Sequence, residues 1–456
     1  MEPNRVSDQS RSQPAPLRIA LAGLGTVGAG VIRLIETNRD LLARRAGRGI
    51  EIVAVSARDR SKDRGVDISR YDWEDDMGAM ATRPDVDVVV ELVGGSDGPA
   101  LTLARGAIAN GKSFVTANKA MIAHHGLSLA REAEAAGHAL KFEAAVAGGI
   151  PIVKGLREGA AANAIERVYG ILNGTSNYIL STMEDTGADF ADVLGEAQAK
   201  GYAEADPTFD IDGIDAAHKL SILASIAFGT ELDFTSVGAD GIRRILAADI
   251  AQANSLGYVI RLLGMANVET GSDGTTRLFQ RVHPYLVPKN HPLAHVDGPT
   301  NAVVAEGNFS GMLLFQGAGA GDGPTASAVV ADIIDIARYW DSEGEIDPPF
   351  SIPVAELDKT LPAETGHRTG KAYLRFLVKD RPGVLAEITA AMRDAGVSIE
   401  SLIQMGTEYS GGDDGSVLVS MVTHEGEEAA VDKALDLLAG LESMTATPLV
   451  MHILKQ

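Results

Sequence analysis

Asp215 and Lys219 stand four residues apart in the run Ile214-Asp215-Ala216-Ala217-His218-Lys219-Leu220-Ser221-Ile222-Leu223-Ala224. On a helix that spacing puts them on one face as a favourable acid–base pair. Most such pairs are solvated, but this stretch is apolar nearly all round, which predicts a lysine in a cleft or the interior. A desolvated lysine held by a carboxylate can exchange a proton with a reacting oxygen. Glu204, Asp206, Asp210 and Asp212 lie just upstream. With Asp215 they suit a substrate ammonium or a divalent metal, and the lack of a histidine at ligand spacing makes the metal the weaker choice. A second lysine, Lys119, follows Asn118 where the apolar run Ser113–Thr116 ends. Open α/β sheets place their ligands at that edge, although many strand-end lysines are only solvated. Glu143 to Pro151 offers one carboxylate and several small residues whose carbonyls suit a hard cation; a glycine turn before a proline-started helix is an equal alternative.

These groups need a scaffold, and the first part of the chain supplies its signature. Gly23-Leu24-Gly25-Thr26-Val27-Gly28 follows the apolar run Leu17–Ala22 and opens a helical stretch reaching about Arg45. In that context the first glycine permits a tight turn, the second lets backbone approach a pyrophosphate, and the third lets helix pack on strand. A dinucleotide is therefore expected here, bound by Gly23, Leu24, Gly25, Thr26, Val27 and Gly28. The second strand, over 51–56, carries no carboxylate at its tip; Arg58 lies just beyond, next to Asp59. A cation there suits a 2′-phosphate, so the reading favours NADP and leaves NAD open. Further strands over 86–93, 113–116 and 140–145, with helical lengths between them, predict a doubly wound parallel sheet.

Composition limits the alternatives. Sixty-two Asp and Glu against 40 Lys and Arg give a formal charge of -22, which repels nucleic acid and anionic membranes. With no cysteine, thiol catalysis, thiolate metal sites and disulfides are excluded. No apolar run reaches the ~20 residues of a membrane helix, and no apolar signal core opens the chain, so a cytoplasmic protein is expected. At 456 residues the chain has room for about three domains at ~150 residues each. The expected division is a disordered tail over 1–15, a dinucleotide-binding domain over 16–142, and a catalytic domain over 143–340 whose last helices return to the first domain. A linker over 341–370 then leads to a module over 371–456 with the order βαββαβ, its hairpin turn at Ser410–Gly415.

Taken together these residues resemble homoserine dehydrogenase over about 17–340. The carriers are Gly23–Gly28, Ala117-Asn118-Lys119, Glu143–Pro151, Asn173-Gly174-Thr175-Ser176-Asn177-Tyr178, the run Gly201–Lys219, and Gly317–Gly321 leading into Pro324–Ala328. The resemblance implies a Rossmann-type fold with an α+β catalytic and dimerisation domain, and interconversion of L-aspartate 4-semialdehyde and L-homoserine with a nicotinamide cofactor. It implies Lys219 as the catalytic lysine with Asp215 beside it, Glu204, Asp210 and Asp215 as substrate contacts, and Lys119 near both nicotinamide and substrate. Arg58, Gly201 and Gly321 would join the glycine turn in lining the cofactor. Glu143 and the carbonyls of Val146, Gly148 and Ile150 would form a sodium-type site.

Residues 371–456 resemble an ACT domain, a ferredoxin-like βαββαβ module that senses amino acids. Asp380-Arg381-Pro382-Gly383-Val384 matches its ligand loop, with Gln404 on the following strand. The combination implies feedback by L-threonine in threonine, methionine and isoleucine biosynthesis and a homodimer or homotetramer; a module that only dimerises is the alternative. A 2-hydroxyacid dehydrogenase with an ACT domain is a rival, but it needs a histidine–acid pair that His283, His291 and His295 do not form in sequence. A non-catalytic amino-acid sensor is the other, which the intact Lys219, Asp215 and Glu204 oppose.

Overall fold

The computed structural model describes residues 14–270, 274–341, 347–406 and 416–455. Most of the tail expected over 1–15 and the turn Ser410–Gly415 lie outside the described residues. The chain divides into two units. One comprises Met1–Gly149, Gly321–Pro349 and Pro353–Ala355; the other comprises Ile150–Ala320, Phe350–Ile352 and Glu356–Gln456.

In the first unit, buried strands alternate with helices. The strands are β1 (Leu17–Ala22), β2 (Ile50–Ser56), β3 (Asp72–Trp73), β4 (Val88–Glu91), β5 (Ser113–Thr116) and β6 (Leu140–Lys141), with α1 (Thr26–Thr37) after β1 and α2 (Lys119–Ala136) after β5. All pair in parallel in the order β3-β2-β1-β4-β5-β6. The order reverses at β1, the switch point where such sheets open a crevice for a dinucleotide. Both faces of a parallel sheet are covered, so its strands must be apolar throughout; β4 and β5 are buried at every position.

Two expected elements differ. The helix expected to reach Arg45 breaks at Asn38 into Thr26–Thr37 and Arg39–Ala46. The strand expected over 140–145 stops at Lys141, because Glu143–Ala145 coil into a 3-10 turn. The Glu143 N–H donates there to Asp332 Oδ2 at 2.8 Å. Asp332 sits on the helix Asp322–Tyr339, which returns to this unit and buries Val329, Ile333 and Ile336 with Leu21, Val31 and Ile32. Each such aliphatic side chain contributes about 1.5–3 kcal/mol when fully buried.

The second unit is built on one long sheet. Its catalytic part contributes β7 (Ile165–Ile171), β8 (Tyr258–Thr270), β9 (Thr276–Pro288), β10 (Thr300–Gly307) and β11 (Gly311–Ala318), packed with α3 (Gly174–Thr186), α4 (Ile214–Phe228) and α5 (Ala247–Ser255). The C-terminal part is β12 (Ala372–Lys379), α6 (Val384–Ala395), β13 (Ile399–Met405), β14 (Ser416–Thr423), α7 (Glu428–Leu438) and β15 (Leu449–Ile453), the expected βαββαβ order. The sheet path is β11-β10-β7-β8-β9-β15-β12-β14-β13.

The C-terminal module has its own core around Leu374, Phe376, Ile388, Met392, Val419 and Leu438, yet it is more than tethered. β15 pairs in parallel with β9, Tyr285 facing His452, and Leu454 is buried in the catalytic core with Leu263 and Val287. The segment expected as a linker is likewise packed where it is described: Phe350, Val354 and Leu357 are buried, because its polar composition hides regularly placed apolar anchors.

The β9–β15 seam carries a titration. The rings of His283 and His452 lie 5.5 Å apart, and burial pushes both imidazoles below their ordinary value, His452 furthest because Arg281, His283 and Arg368 add positive charge. Glu428 and Asp240 face them at 3.7 and 3.5 Å without reversing this, and Arg244 adds a further positive charge beside His283. The unfolded chain has imidazoles near pH ~6.5, so the neutral folded forms stabilise above that pH and the contribution is lost as pH falls towards their depressed values. The urea midpoint is expected to fall on acidification from pH 7 to 5.5, and less steeply in His452→Gln; parallel slopes would show the seam histidines to be uninvolved.

Candidate active site

At the turn after β1 the three glycines have separable roles. A Cβ on Gly23, whose φ is +103°, would sit 2.6 Å from Leu92 O, and one on Gly28 would sit 2.1 Å from Gly23 O; one on Gly25 would meet nothing within 4 Å. Turn and helix are thus packed as closely as backbone allows, while the position that must admit a phosphate is open. Gly25 is the N-cap of α1 without a side chain of its own on the orphan N–H groups, which suits an anion. These residues fit a dinucleotide.

Gly321, with φ +122°, is the N-cap of the returning helix in this unit. That helix approaches α1 so closely that a Cβ on Gly30 would lie 2.7 Å from Asp322 O. Arg58 is exposed beyond β2 and forms no ion pair among the described residues. Asp59 beside it is committed elsewhere, accepting from Ser61 N and Oγ at 2.8 and 2.7 Å, and these bonds hold its carboxyl below the usual range. Arg64, overlooked in the sequence, donates to Leu24 O at 3.0 Å and to the carbonyls of Lys62 and Asp59, tying this loop to the glycine turn. Its signal was only its place among Arg58, Arg60 and Lys62.

The strand-end lysine has a built surround. Glu91, fully buried at the end of β4, accepts from Val93 N, Gly94 N and Thr116 Oγ1 at 2.6, 2.9 and 2.6 Å. Asn118 caps α2 by accepting from Met121 N at 3.1 Å and donates to Gly95 O at 2.7 Å. Lys119 is therefore the first residue of α2, half-buried. A cation at the positive end of a helix is locally unfavourable.

In the second unit, α4 is buried over almost its whole length, and the i, i+4 pair forms inside it. Lys219 Nζ donates to Asp215 Oδ2 at 2.8 Å and to Leu172 O at 2.7 Å. The side chains keep 10% and 4% exposure, so the ammonium is desolvated and still reachable by a substrate. Asn173, at the N-cap of α3, donates to Asp215 Oδ2 and to Asp210 Oδ1, each at 2.8 Å. Asn301 of β10 shares Leu172 O at 3.0 Å. Of the five acids expected to act together, Asp210 and Asp215 converge here and Glu204 is exposed nearby in sequence. Asp206 is turned onto Thr208 N and Asp212 onto Arg243, so both support the loop instead. Gly201, at φ +76°, ends the helix before this loop. Among the described residues no group of three or more His, Asp or Glu is placed to hold a metal ion.

The glycine loop begins with buried Glu143 and then takes two successive left-handed residues, Ala147 at φ +54° and Gly148 at φ +52°. The Val146 N–H donates back to Glu143 O, and Ile150 O accepts from Ile152 N.

In the C-terminal module one cavity of about 500 Å³ is lined by Lys379, Asp380, Gly383, Val384 and Gln404 with the apolar floor of Val417 and Val419. The four residues named from sequence, Asp380, Gly383, Val384 and Gln404, thus line a single space. Of the histidines weighed for a rival dehydrogenase, His291 contacts Tyr169 Oη at 3.1 Å and accepts from Leu293 N, His283 lies against Pro284 O, and His295 is exposed.

The family model described as homoserine dehydrogenase matches residues 151–334, that of the homoserine dehydrogenase NAD binding domain matches 23–143, and that of the ACT domain matches 372–440. The homoserine dehydrogenase of Pseudomonas aeruginosa is 45% identical, over 94% of this chain and 97% of its own. The chain belongs to the homoserine dehydrogenase family. It is an NAD(P)-dependent oxidoreductase that reversibly reduces L-aspartate 4-semialdehyde to L-homoserine. The crystal structure of a homoserine dehydrogenase from Thiobacillus denitrificans is similar with a TM-score of 0.88 and 42% identity, covering 97% of this chain and 100% of that one. A hyperthermophilic archaeal homoserine dehydrogenase in complex with NADPH matches with a TM-score of 0.59 at 25% identity, over 70% of this chain and 97% of that one. No described helix is long and apolar enough to cross a membrane.

Proposed function

We propose that Lys219 transfers the proton to and from the reacting oxygen, that Asp215 orients it, that Glu204, Asp210 and Asp215 receive the substrate ammonium, and that Lys119 contacts the substrate's polar end. The observation that carries this is the buried Lys219 ammonium held between Asp215 Oδ2 and Leu172 O. A reduced nicotinamide held at the glycine turn would supply the hydride for reduction of the semialdehyde carbonyl. Lys219 gives its proton to the carbonyl oxygen, so C=O becomes CH–OH, and in the reverse direction the neutral amine takes the hydroxyl proton.

The cofactor we infer is NADPH in preference to NADH. The loop after β2 presents Arg58 with Arg60, Lys62 and Arg64, while the Asp59 carboxylate is spent on Ser61. Arg58→Ala is expected to raise KM for NADPH by roughly 10-fold or more, a charge-assisted hydrogen bond being worth ~1.5–3 kcal/mol, with KM for NADH within about twofold. Equal effects on both cofactors would move the 2′-phosphate contact away from Arg58.

A monovalent cation, sodium in type, is assigned to Glu143 and the carbonyls of Val146, Gly148 and Ile150. Support comes from Ala147: a non-glycine residue in the left-handed region costs ~1–2 kcal/mol, a strain that folds retain where it serves a site. L-threonine is assigned to the cavity at Asp380, Gly383, Val384 and Gln404, where the N-terminus of α6 suits a carboxylate. A homodimer or homotetramer is favoured by the edge strand β11, whose Met312 and Leu314, with Phe309 before it, are exposed. One set of initial rates tests these assignments together: homoserine oxidation with NADP or NAD, with and without threonine, in sodium or choline salts. Faster turnover of NAD, indifference to threonine, or indifference to sodium each removes the corresponding assignment.

A further inference from the structure

Asn173 leaves the end of β7 and caps α3, and its side-chain oxygen accepts from Ser176 N at 2.8 Å. That bond fixes which way the amide lies, because an N–H donor must meet the oxygen and not the NH2 group. The NH2 therefore faces the other way, and both of its hydrogens are used, one on Asp210 Oδ1 and one on Asp215 Oδ2. The second of these acceptors is the atom that also takes Lys219 Nζ. Asn173 is 4% exposed, so bulk water does not compete for these bonds.

We propose that Asn173 is a positioning residue for the proton transfer: a neutral two-pronged donor that holds the Asp210 and Asp215 carboxylates side by side and, through Asp215, directs the Lys219 ammonium. The proposal rests on the reading of Lys219 as the proton-transferring group. Two carboxylates within reach of one nitrogen repel each other, and in a desolvated site one of them tends to take up a proton. Donating one N–H to each favours the ionised form of both. It does so without a fixed positive charge that would compete with a substrate ammonium, as an arginine or lysine at this position would. The adjoining Leu172 carbonyl holds the ammonium itself, so consecutive residues at one strand end grip both partners of the pair.

A residue that served only as a helix cap would be replaceable. Serine caps a helix about as well as asparagine, but its single short hydroxyl cannot span two carboxylates. Asn173→Ser is therefore expected to lower kcat for homoserine oxidation by roughly 10- to 10²-fold, in line with the cost of small misplacements, with the thermal midpoint close to wild type. In a Lys219→Ala background the same change is expected to cost less than about twofold. Asn173→Asp keeps the cap but sets a third carboxylate against Asp210, Asp215 and Lys219, with neutral Asn301 the other group on Leu172 O. The limb of the pH profile that reports the lysine is then expected to move to higher pH, and this variant decides the matter should Asn173→Ser fold poorly. Wild-type kcat in Asn173→Ser, an equal cost in both backgrounds, or an unmoved limb in Asn173→Asp overturns the clamp. A Lys219→Ala enzyme with near-wild-type kcat overturns the underlying reading; an inactive one beside an unaffected Asn173→Ser overturns the clamp alone.

Discussion

Lys219→Ala is expected to lower kcat for homoserine oxidation by ~10²–10⁴, the usual contribution of a positioned acid or base. The change also leaves Asp215, 3% exposed, without its cation, so part of any loss will come from a rearranged site. Lys219→Arg separates the two effects. A guanidinium can pair with Asp215 but does not deprotonate near neutral pH, so it preserves the ion pair and removes the proton transfer. The expected result is an arginine variant with a near-wild-type urea midpoint and a kcat almost as low as that of the alanine variant. If Lys219→Ala retained near-wild-type turnover, the proton would be moved by another group.

The second large effect concerns the hold on the C-terminal module. Arg375 on β12 and Asp249 on α5 form a buried ion pair at 2.7 Å, with side chains 6% and 0% exposed. Asp249 also accepts from Tyr373 Oη at 3.0 Å and Leu246 N at 2.9 Å, and Arg375 donates to Arg244 O at 3.0 Å. Burial pushes the Asp249 carboxyl up despite the arginine and pushes the Tyr373 phenol up strongly. Removing one partner of such a pair leaves an uncompensated buried charge, which costs about 3–5 kcal/mol, whereas replacing both with apolar groups of similar volume is often neutral. Arg375→Ala is therefore expected to lower the urea midpoint sharply, and Asp249→Leu combined with Arg375→Met to restore most of it. If Arg375→Ala unfolded at the wild-type midpoint, the seam pairing of β9 with β15 and the burial of Leu454 would be sufficient to hold the C-terminal module.

What could be read along the chain was whatever local geometry decides. A G-x-G-x-x-G between an apolar strand and a helix has one good use of its three glycines, and their packing here follows it. Asp215 and Lys219 pair because four residues are one helical turn, and their burial was foreseeable from the apolar residues around them. Asp380–Val384 is a turn into a helix, so its neighbours in space are largely its neighbours in sequence. Asn173 opens an Asn-Gly-Thr-Ser run, which is an N-cap signal, but nothing local says that its NH2 meets Asp210 and Asp215, some forty residues on.

The remaining errors share that cause. The strand expected over 140–145 ends early because Asp332, 189 residues later, accepts the Glu143 N–H. The segment expected as a linker is anchored by Phe350, Val354 and Leu357, whose burial its polar, proline-rich composition does not announce. The C-terminal module has the core its βαββαβ order implies, while the β9–β15 pairing and the Asp249–Arg375 pair, which tie it to the catalytic part, join segments more than a hundred residues apart. By itself, then, the order of residues determined the chemistry available, a dinucleotide turn, a helix-borne lysine–carboxylate pair and the Asp380–Val384 turn into a helix, because each is specified within one or two turns of chain. The tertiary structure alone decided which carboxylates surround the lysine, what steadies Asp215 and how the C-terminal module is held, because those depend on hydrogen bonds and buried charges that exist only once distant segments have excluded water together.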